Sequence, residues 1–357
     1  MNHFAAIREK LSAYGLDALM LTEQYNRYYA TDFASGGSDG LALICKNKCY
    51  YFTDSRYTVA AQRHVTDAEI TIAGNGRGYV ELVNEVIEAE GIKVLGIDEA
   101  YMTVSSYNAY SAKLHAELKG ASALMRELRV VKDKDEIDRL IAAQRIAEKA
   151  LEETLPMIKP GVTEKEVAAY LVYRILANGA ENVSFDPIVV SGENGAMPHG
   201  VPSDKKIQSG EFVTIDYGAL KDGYCSDTTR TFAVGEVTEE MRKVYNTVLE
   251  AQCAAIAATK AGVLASEIDL TARNIIRDAG YGEYFGHGYG HGVGVEIHEA
   301  PSVSYRNETP LPAYCATSAE PGIYIPGKFG VRIEDVVIPT EDGCINLTRL
   351  PKELIIL

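Results

Sequence analysis

The chain has 357 residues, 46% of them hydrophobic and 24% charged, with a formal net charge of −15. This is the composition of a globular protein long enough for two domains. The excess of acid excludes non-specific binding to nucleic acid or to an anionic membrane surface.

The opening MNHFAAIREKLSAYG reads as an amphipathic helix over residues 3–14, ending at Gly15, and not as a signal peptide. No apolar run approaches the roughly 18–20 residues of a membrane span, so a cytoplasmic protein is expected. DALMLT (17–22) reads as a buried strand, and GLALICKNKCYYFTD as a hairpin turning at Asn47-Lys48. SRYTVAAQRHV reads as helix, ITIAG (70–74) as strand, NGRG (75–78) as a turn, ELVNEVIEAEG as helix and KVLGID as strand. Ser105 and Ser106 are expected to cap a helix reaching about Leu118. Residues 1–125 are thus an α/β domain. The six cysteines form no CxxC pair; Cys45 and Cys49 flank a turn and are close enough in sequence to bridge, with reduced thiols the expected state.

A linker over 126–134 (RELRVVKDK) leads into a second domain, 135–357, that opens with the long helix DEIDRLIAAQRIAEKALEETLPMI. Pro160-Gly161 ends it, and Thr163 with Glu166 forms a capping box for a helix stopping near Gly179. VTIDYGALKDGYCSDTTRTF (213–232) then reads as two strands joined at Lys221-Asp222-Gly223. That places Asp216 opposite Asp227, about 5 Å apart at Cβ. Two buried carboxylates so close require a shared proton or a cation between them.

This plan repeats. KPGVTEKEV (159–167) matches KAGVLASEI (260–268), Gly179 matches Gly280 as a helix stop, and HGVPS (199–203) matches HEAPS (298–302). Each half ends in a hairpin with two acids, the second being EPGIYIPGKFGVRIED with Glu320 and Glu334 about a turn at Pro326-Gly327-Lys328. The doubling predicts two similar α+β halves about a pseudo-twofold axis. Four converging carboxylates then call for divalent cations: Mn²⁺ suits the oxygen ligands, and a nitrogen ligand also admits Co²⁺ or Zn²⁺. YFGHGYGHGVGVEIHEAP (284–301) supplies His287, His291 and His298, the first two sharing a face if the segment is a strand. HEAPS lacks the second histidine of the HExxH pattern. The alternating glycines are not followed by a helix, as a nucleotide loop requires.

SGENGAMPHG, VTIDYGALKDGYCSDTTRTF, GHGYGHGVGVEIHEAP and EPGIYIPGKFGVRIEDV resemble, in order, the signatures of the pita-bread metallopeptidases of the aminopeptidase P and prolidase group, and YYFTDSRYTVAAQ (50–62) is similar to their creatinase-type N-terminal domain. The resemblance implies an α/β N-terminal domain followed by an α+β pita-bread domain with two divalent metal ions. It implies Asp216, Asp227, His291, Glu320 and Glu334 as metal ligands, with Asp227 and Glu334 bridging. His298, His199 and Glu320 are implied in catalysis, with His199, His287, His298 and Arg332 at the substrate, the arginine also ordering the acids. Hydrolysis of an Xaa-Pro bond at a free N-terminus follows, in a homodimer with peptide substrates bearing proline second. An Xaa-Pro dipeptidase is the alternative, and a non-catalytic peptide- or protein-binding member of the fold a remote one. Two departures stand out. YCATSAEPG replaces the Gly-Met-Val-type strand before EPG, and Ser302 stands where dipeptide-specific members carry an arginine, with Arg306 the nearest cation. The second tilts the expectation towards aminopeptidase P.

Overall fold

The computed structural model describes residues 2–37 and 39–357. The backbone forms two compact units, one running through Arg129 and the other Val130–Leu357.

In the first unit, strands β1 (Ala18–Leu21), β2 (Gly40–Cys45), β3 (Cys49–Thr53), β4 (Glu69–Ile72), β5 (Val94–Ile97) and β6 (Glu117–Gly120) form one sheet, ordered β4-β3-β2-β1-β5-β6. Its helices are α1 (Phe4–Leu11), α2 (Gln24–Thr31), α3 (Thr58–His64), α4 (Tyr79–Glu90), α5 (Val104–Ser111) and α6 (Ser122–Val130). The parallel pairs β3–β4 and β5–β6 are each joined through a helix, α3 and α5, as a parallel crossover requires.

Several expectations change here. QYNRYYAT has no aliphatic stripe to announce α2. It starts because the Glu23 carboxylate accepts from the N–H groups of Tyr25 (2.8 Å) and Asn26 (3.0 Å). Thr103, not Ser105 or Ser106, caps α5 by accepting from the Ser106 N–H (3.1 Å). Leu118 lies in β6, an exposed strand (ELKG) with a single aliphatic residue and hence no periodic signal. Residues 126–130, expected as linker, are the second half of α6. Ile44 pairs with Cys49, so Cys45 and Cys49 point to opposite faces of the sheet and cannot bridge; all six cysteines are free.

The second unit contains strands β7 (Asn182–Val183), β8 (Ile188–Ser191), β9 (Glu211–Tyr217), β10 (Ala219–Lys221), β11 (Tyr224–Cys225), β12 (Thr228–Val234), β13 (Gly290–Gly292), β14 (Glu299–Val303), β15 (Thr317–Ala319), β16 (Gly322–Ile325), β17 (Phe329–Arg332), β18 (Asp335–Pro339) and β19 (Cys344–Asn346). Its long helices are α7 (Lys134–Thr154), α8 (Glu164–Ala177), α9 (Glu239–Ala258) and α10 (Ala265–Asp278). Ala147 and Leu151 of α7 and Val167, Leu171 and Ile175 of α8 share one core with Val189, Val213 and Ile215 of the β12-β9-β8 sheet. Val244 and Val248 of α9 and Ala272 and Ile276 of α10 share another with Ala319, Ile323, Val331 and Val337.

The two halves repeat down to single hydrogen bonds. Gly161 (φ +92°) and Gly262 (φ +84°) both occupy the left-handed region, and their N–H groups donate to Ile207 (2.9 Å) and Leu311 (2.8 Å). Gly179 and Gly280 close α8 and α10 at φ +99° and +91°. The second unit is the duplicated pita-bread fold.

Candidate metal centre

The register of the first acidic hairpin differs from the expectation. Asp216 lies opposite Thr229, and Tyr217 opposite Thr228. The ladder then breaks: Ser226 donates its N–H to Ala219 O (2.8 Å), and Asp227 leaves the sheet at Gly218. A Cβ on Gly218 would meet Ser226 O at 1.9 Å, so only glycine allows the two backbones this close. Asp227 is therefore turned inward at a break, two residues along from Thr229, which faces Asp216. In the second hairpin Gly322 pairs with Arg332, which leaves Glu320 and Glu334 just beyond the paired ends and equally far from the turn. The histidines also differ. Strand β13 covers only Gly290–Gly292, so His287 lies on irregular backbone and does not share a strand face with His291.

Despite this, one cavity of about 520 Å³ is lined by Asp216, Asp227, His291, Glu320 and Glu334 together with His199, His287, His298 and Arg332. Ser302 and Arg306 are not among its lining residues. Asp227 and Glu334 are 4% and 1% exposed. Ligand atoms of Asp227, His291 and Glu334 lie within 4.8 Å of one another. The Nε2 atom of His291 lies 3.3 Å from Glu320 Oε1 and 3.5 Å from Asp227 Oδ2. Its Nδ1 is 3.0 Å from the Gly292 carbonyl, which fixes the proton on Nδ1 in the neutral ring and turns the Nε2 lone pair towards two carboxylates. That is a repulsive arrangement unless a proton or a cation fills the gap.

The electrostatics agree. Burial, then the neighbouring acids, pushes Asp227 and Glu334 well above the usual carboxylate range, and burial also raises Asp216. Burial acts the same way on Glu320, but its hydrogen bond to His291 and that ring's charge outweigh it and bring Glu320 down to about 2. Burial lowers His291, yet Glu320 and Asp227 carry it up to about 9. Without a cation the cluster holds together only by taking protons. One oxygen of Asp216, Oδ1, is buried with no hydrogen-bond partner among the described residues. An oxygen-rich, partly orphaned set with one imidazole nitrogen fits divalent cations.

Second contacts fix these groups. Arg332, in the cavity lining, donates to Asp216 Oδ2 (2.7 Å), Thr229 Oγ1 (3.0 Å) and Tyr324 Oη (2.9 Å), so it braces the acids. Thr229 donates to Glu334 Oε2 (2.7 Å), and Ser318 donates to Glu320 Oε1 (3.2 Å) while accepting from the His291 N–H (3.0 Å). Tyr324 Oη also lies 2.9 Å from His287 Nε2, while His287 Nδ1 is 2.8 Å from Gly288 O. The tyrosine hydroxyl therefore donates to the histidine and accepts from Arg332. Arg273 of α10, paired with Asp269, donates to the carbonyls of Phe285 (2.9 Å) and His287 (2.7 Å). His298 is exposed at the cavity and packs edge-on against His291, ring centroids 4.3 Å apart, and His199, also exposed, lines the same cavity. Thr229, Ser318 and Tyr324 were not expected from the sequence, although each lies within four residues of a candidate ligand.

Comparison with known proteins places this geometry. The model of metallopeptidase family M24 matches residues 138–341, and that of the creatinase/prolidase N-terminal domain matches residues 4–131. The Xaa-Pro dipeptidase of Pyrococcus horikoshii is 40% identical over 98% of this chain and 97% of its own. Among solved structures, an Xaa-Pro dipeptidase from Bacillus anthracis is 43% identical with a TM-score of 0.94 over 99% of each chain. An X-Pro aminopeptidase from Thermotoga maritima is 37% identical with a TM-score of 0.93 over 100% of each. Among the described residues no helix is long and apolar enough to cross a membrane.

Proposed function

We propose a substrate and a division of labour for a chain that belongs to metallopeptidase family M24 and carries the creatinase/prolidase N-terminal domain. The reaction is hydrolysis of the Xaa-Pro bond, with Xaa-Pro dipeptides as the main substrates. The observation that carries this reading is the His291 lone pair turned onto Asp227 and Glu320 inside a buried carboxylate cluster. Both the Pyrococcus and the Bacillus relatives are Xaa-Pro dipeptidases.

Asp216, Asp227, His291, Glu320 and Glu334 would hold two divalent cations, Mn²⁺ first among them because four of the five ligands are carboxylates, with Co²⁺ or Zn²⁺ as substitutes. Cations there supply Lewis acidity, which lowers the pKa of water and polarises a carbonyl. Glu320, held ionised beside His291, takes the proton of the attacking water. His298 and His199 both line the cavity and donate to the oxygen of the scissile carbonyl as charge builds on it. Departure of the prolyl nitrogen as a secondary amine needs a proton, which Glu320 returns. Phe185, Pro187, Ile188 and Ile297 form the apolar wall for the pyrrolidine ring. His287, braced by Tyr324, completes that side. A homodimer belongs to the same reading. So does a cytoplasmic setting, which the six free cysteines support.

Longer Xaa-Pro-Yaa peptides are the second reading, favoured by the lack of an arginine at Ser302 and by the Thermotoga aminopeptidase. A panel of Xaa-Pro, Xaa-Pro-Yaa, Met-Ala-Yaa and Xaa-Ala-Yaa peptides, each with Mn²⁺, Co²⁺ and Zn²⁺, tests both. The expected result is fastest cleavage of Xaa-Pro. Cleavage of Xaa-Pro-Yaa with Xaa-Pro untouched reverses the order, and no hydrolysis with any metal sinks the reading.

A further inference from the structure

Among the buried carboxylates outside the mechanism above, one lies beside the segment that carries His199. Glu164, the first residue of α8, is 0% exposed. Its Oε1 accepts from the Ser191 N–H (2.7 Å), Ser191 Oγ (2.9 Å) and Asn194 Nδ2 (3.1 Å). Its Oε2 accepts from Asn194 Nδ2 (3.2 Å), the Ser203 N–H (3.0 Å) and Ser203 Oγ (2.6 Å). Ser191 and Ser203 are the two ends of the segment that carries Pro198 and His199, so a single side chain ties both ends together. Between them the segment touches strand β17 twice. A Cβ on Gly195 would meet Gly330 N at 3.0 Å, and Pro198 O accepts from Arg332 Nη1 at 3.5 Å.

The duplicated half shows that the fold does not require this acid. Ala265, equally buried, occupies the matching place at the start of α10. The backbone there docks in the same way: Glu164 N donates to Lys205 O and Ala265 N to Thr309 O, both at 3.1 Å. Lys165 N to Ser203 O (3.1 Å) and Ser266 N to Asn307 O (2.9 Å) repeat the next contact. A helix start of this kind is therefore stable with a methyl group in place of the carboxylate. What differs is how the loop is held: the first, with His199, is tied through the Glu164 carboxylate, whereas the second, with His298 at the matching place, has Asn307 donating to Ser302 O (2.6 Å).

We infer that Glu164 is a positioning residue for the reaction: it fixes residues 191–203 so that the His199 imidazole stands at the cavity wall. The inference rests on the peptidase reading above. E164Q keeps the volume but turns an NH₂ towards N–H and O–H donors, which frees one end of the loop. On an Xaa-Pro dipeptide, E164Q lowers kcat about tenfold with little change in KM, as a misplaced catalytic group does. In the H199A background the same substitution has no further effect, while metal content stays at the wild-type level. Deuterium uptake rises over residues 192–202 and not over 320–334. S203A, which removes one donor and carries less risk to folding, shows a smaller loss that is equally silent with H199A. Multiplicative effects of E164Q and H199A, wild-type activity in both clamp variants, or unchanged uptake in the loop overturns the proposal. If E164Q does not fold, the S203A and H199A cycle decides on the same criterion. An inactive wild type overturns the peptidase reading instead, and loop uptake, which needs no substrate, then decides the clamp alone.

Discussion

Thr229 shows how much of the centre depends on groups that carry no charge. Its hydroxyl donates to Glu334 and accepts from Arg332, so one atom relates both acidic hairpins. T229A is expected to weaken metal affinity by about 10–100-fold, the usual cost of losing an outer partner, with metal titration as the check. Activity at saturating metal falls less. The acids and histidines were legible in the chain because like charges buried together are costly unless a proton or a cation binds between them. Thr229, Ser318 and Tyr324 were not, since hydroxyls are common and only contact singles them out. In the first unit, Asp17 gives a pH prediction. The Lys46 ammonium, followed by the N–H groups of Val94 and Lys93, lowers its carboxyl from 3.8 to about 2. A depressed carboxylate stabilises the fold above its unfolded pKa and loses that contribution as pH falls through the folded one. Wild type and D17N should therefore differ in thermal stability above pH 3.8 and converge near pH 2. A constant gap across that window contradicts the assignment. The effect is small because Asp17 is partly solvated.

Among the elements, the break in the first hairpin matters most. A regular ladder was the natural reading of an Asp-Gly turn between apolar runs, and it would have placed Asp227 on the sheet. The paired register is kept through Ala219 and Ser226, but the close approach at Gly218 lets Asp227 turn into the cavity. G218A should cost about 1–3 kcal/mol, the range for overpacking, in thermal unfolding. It should also lower metal content, because Asp227 moves with the backbone. A loss of stability with full metal occupancy would show that the break does not set the ligand. Helix α7 was legible from its apolar stripe and α8 from its capping box, Thr163 with Glu166; the Asp133–Glu136 box that starts α7 emerged only in the structure. Strand β6 and helix α2 were hidden because their residues follow neither the helical nor the strand period.

At the scale of the whole molecule, the centre joins segments far apart in sequence, from Asp216 to Glu334, so cation binding should couple to folding of the second unit. Chelation is expected to lower the melting temperature. Refilling at about 1,000 times the dissociation constant restores about 4 kcal/mol by mass action. Calorimetry with and without chelator measures this, and an unchanged transition argues that the acids are held by protons alone. The internal repeat is visible in the sequence from matched glycines and loops, because a duplicated backbone needs the same residues at the same left-handed positions. The histidines are duplicated only in part. His199 and His298 stand at matched places in the two halves, whereas His287 and His291 have no counterpart in the first. A cavity of true twofold symmetry would accept a polypeptide lying in either direction with equal ease. By giving the two halves unequal side chains over a common backbone, the chain removes that ambiguity, and a bound peptide can tell amino end from carboxyl end before any bond is touched.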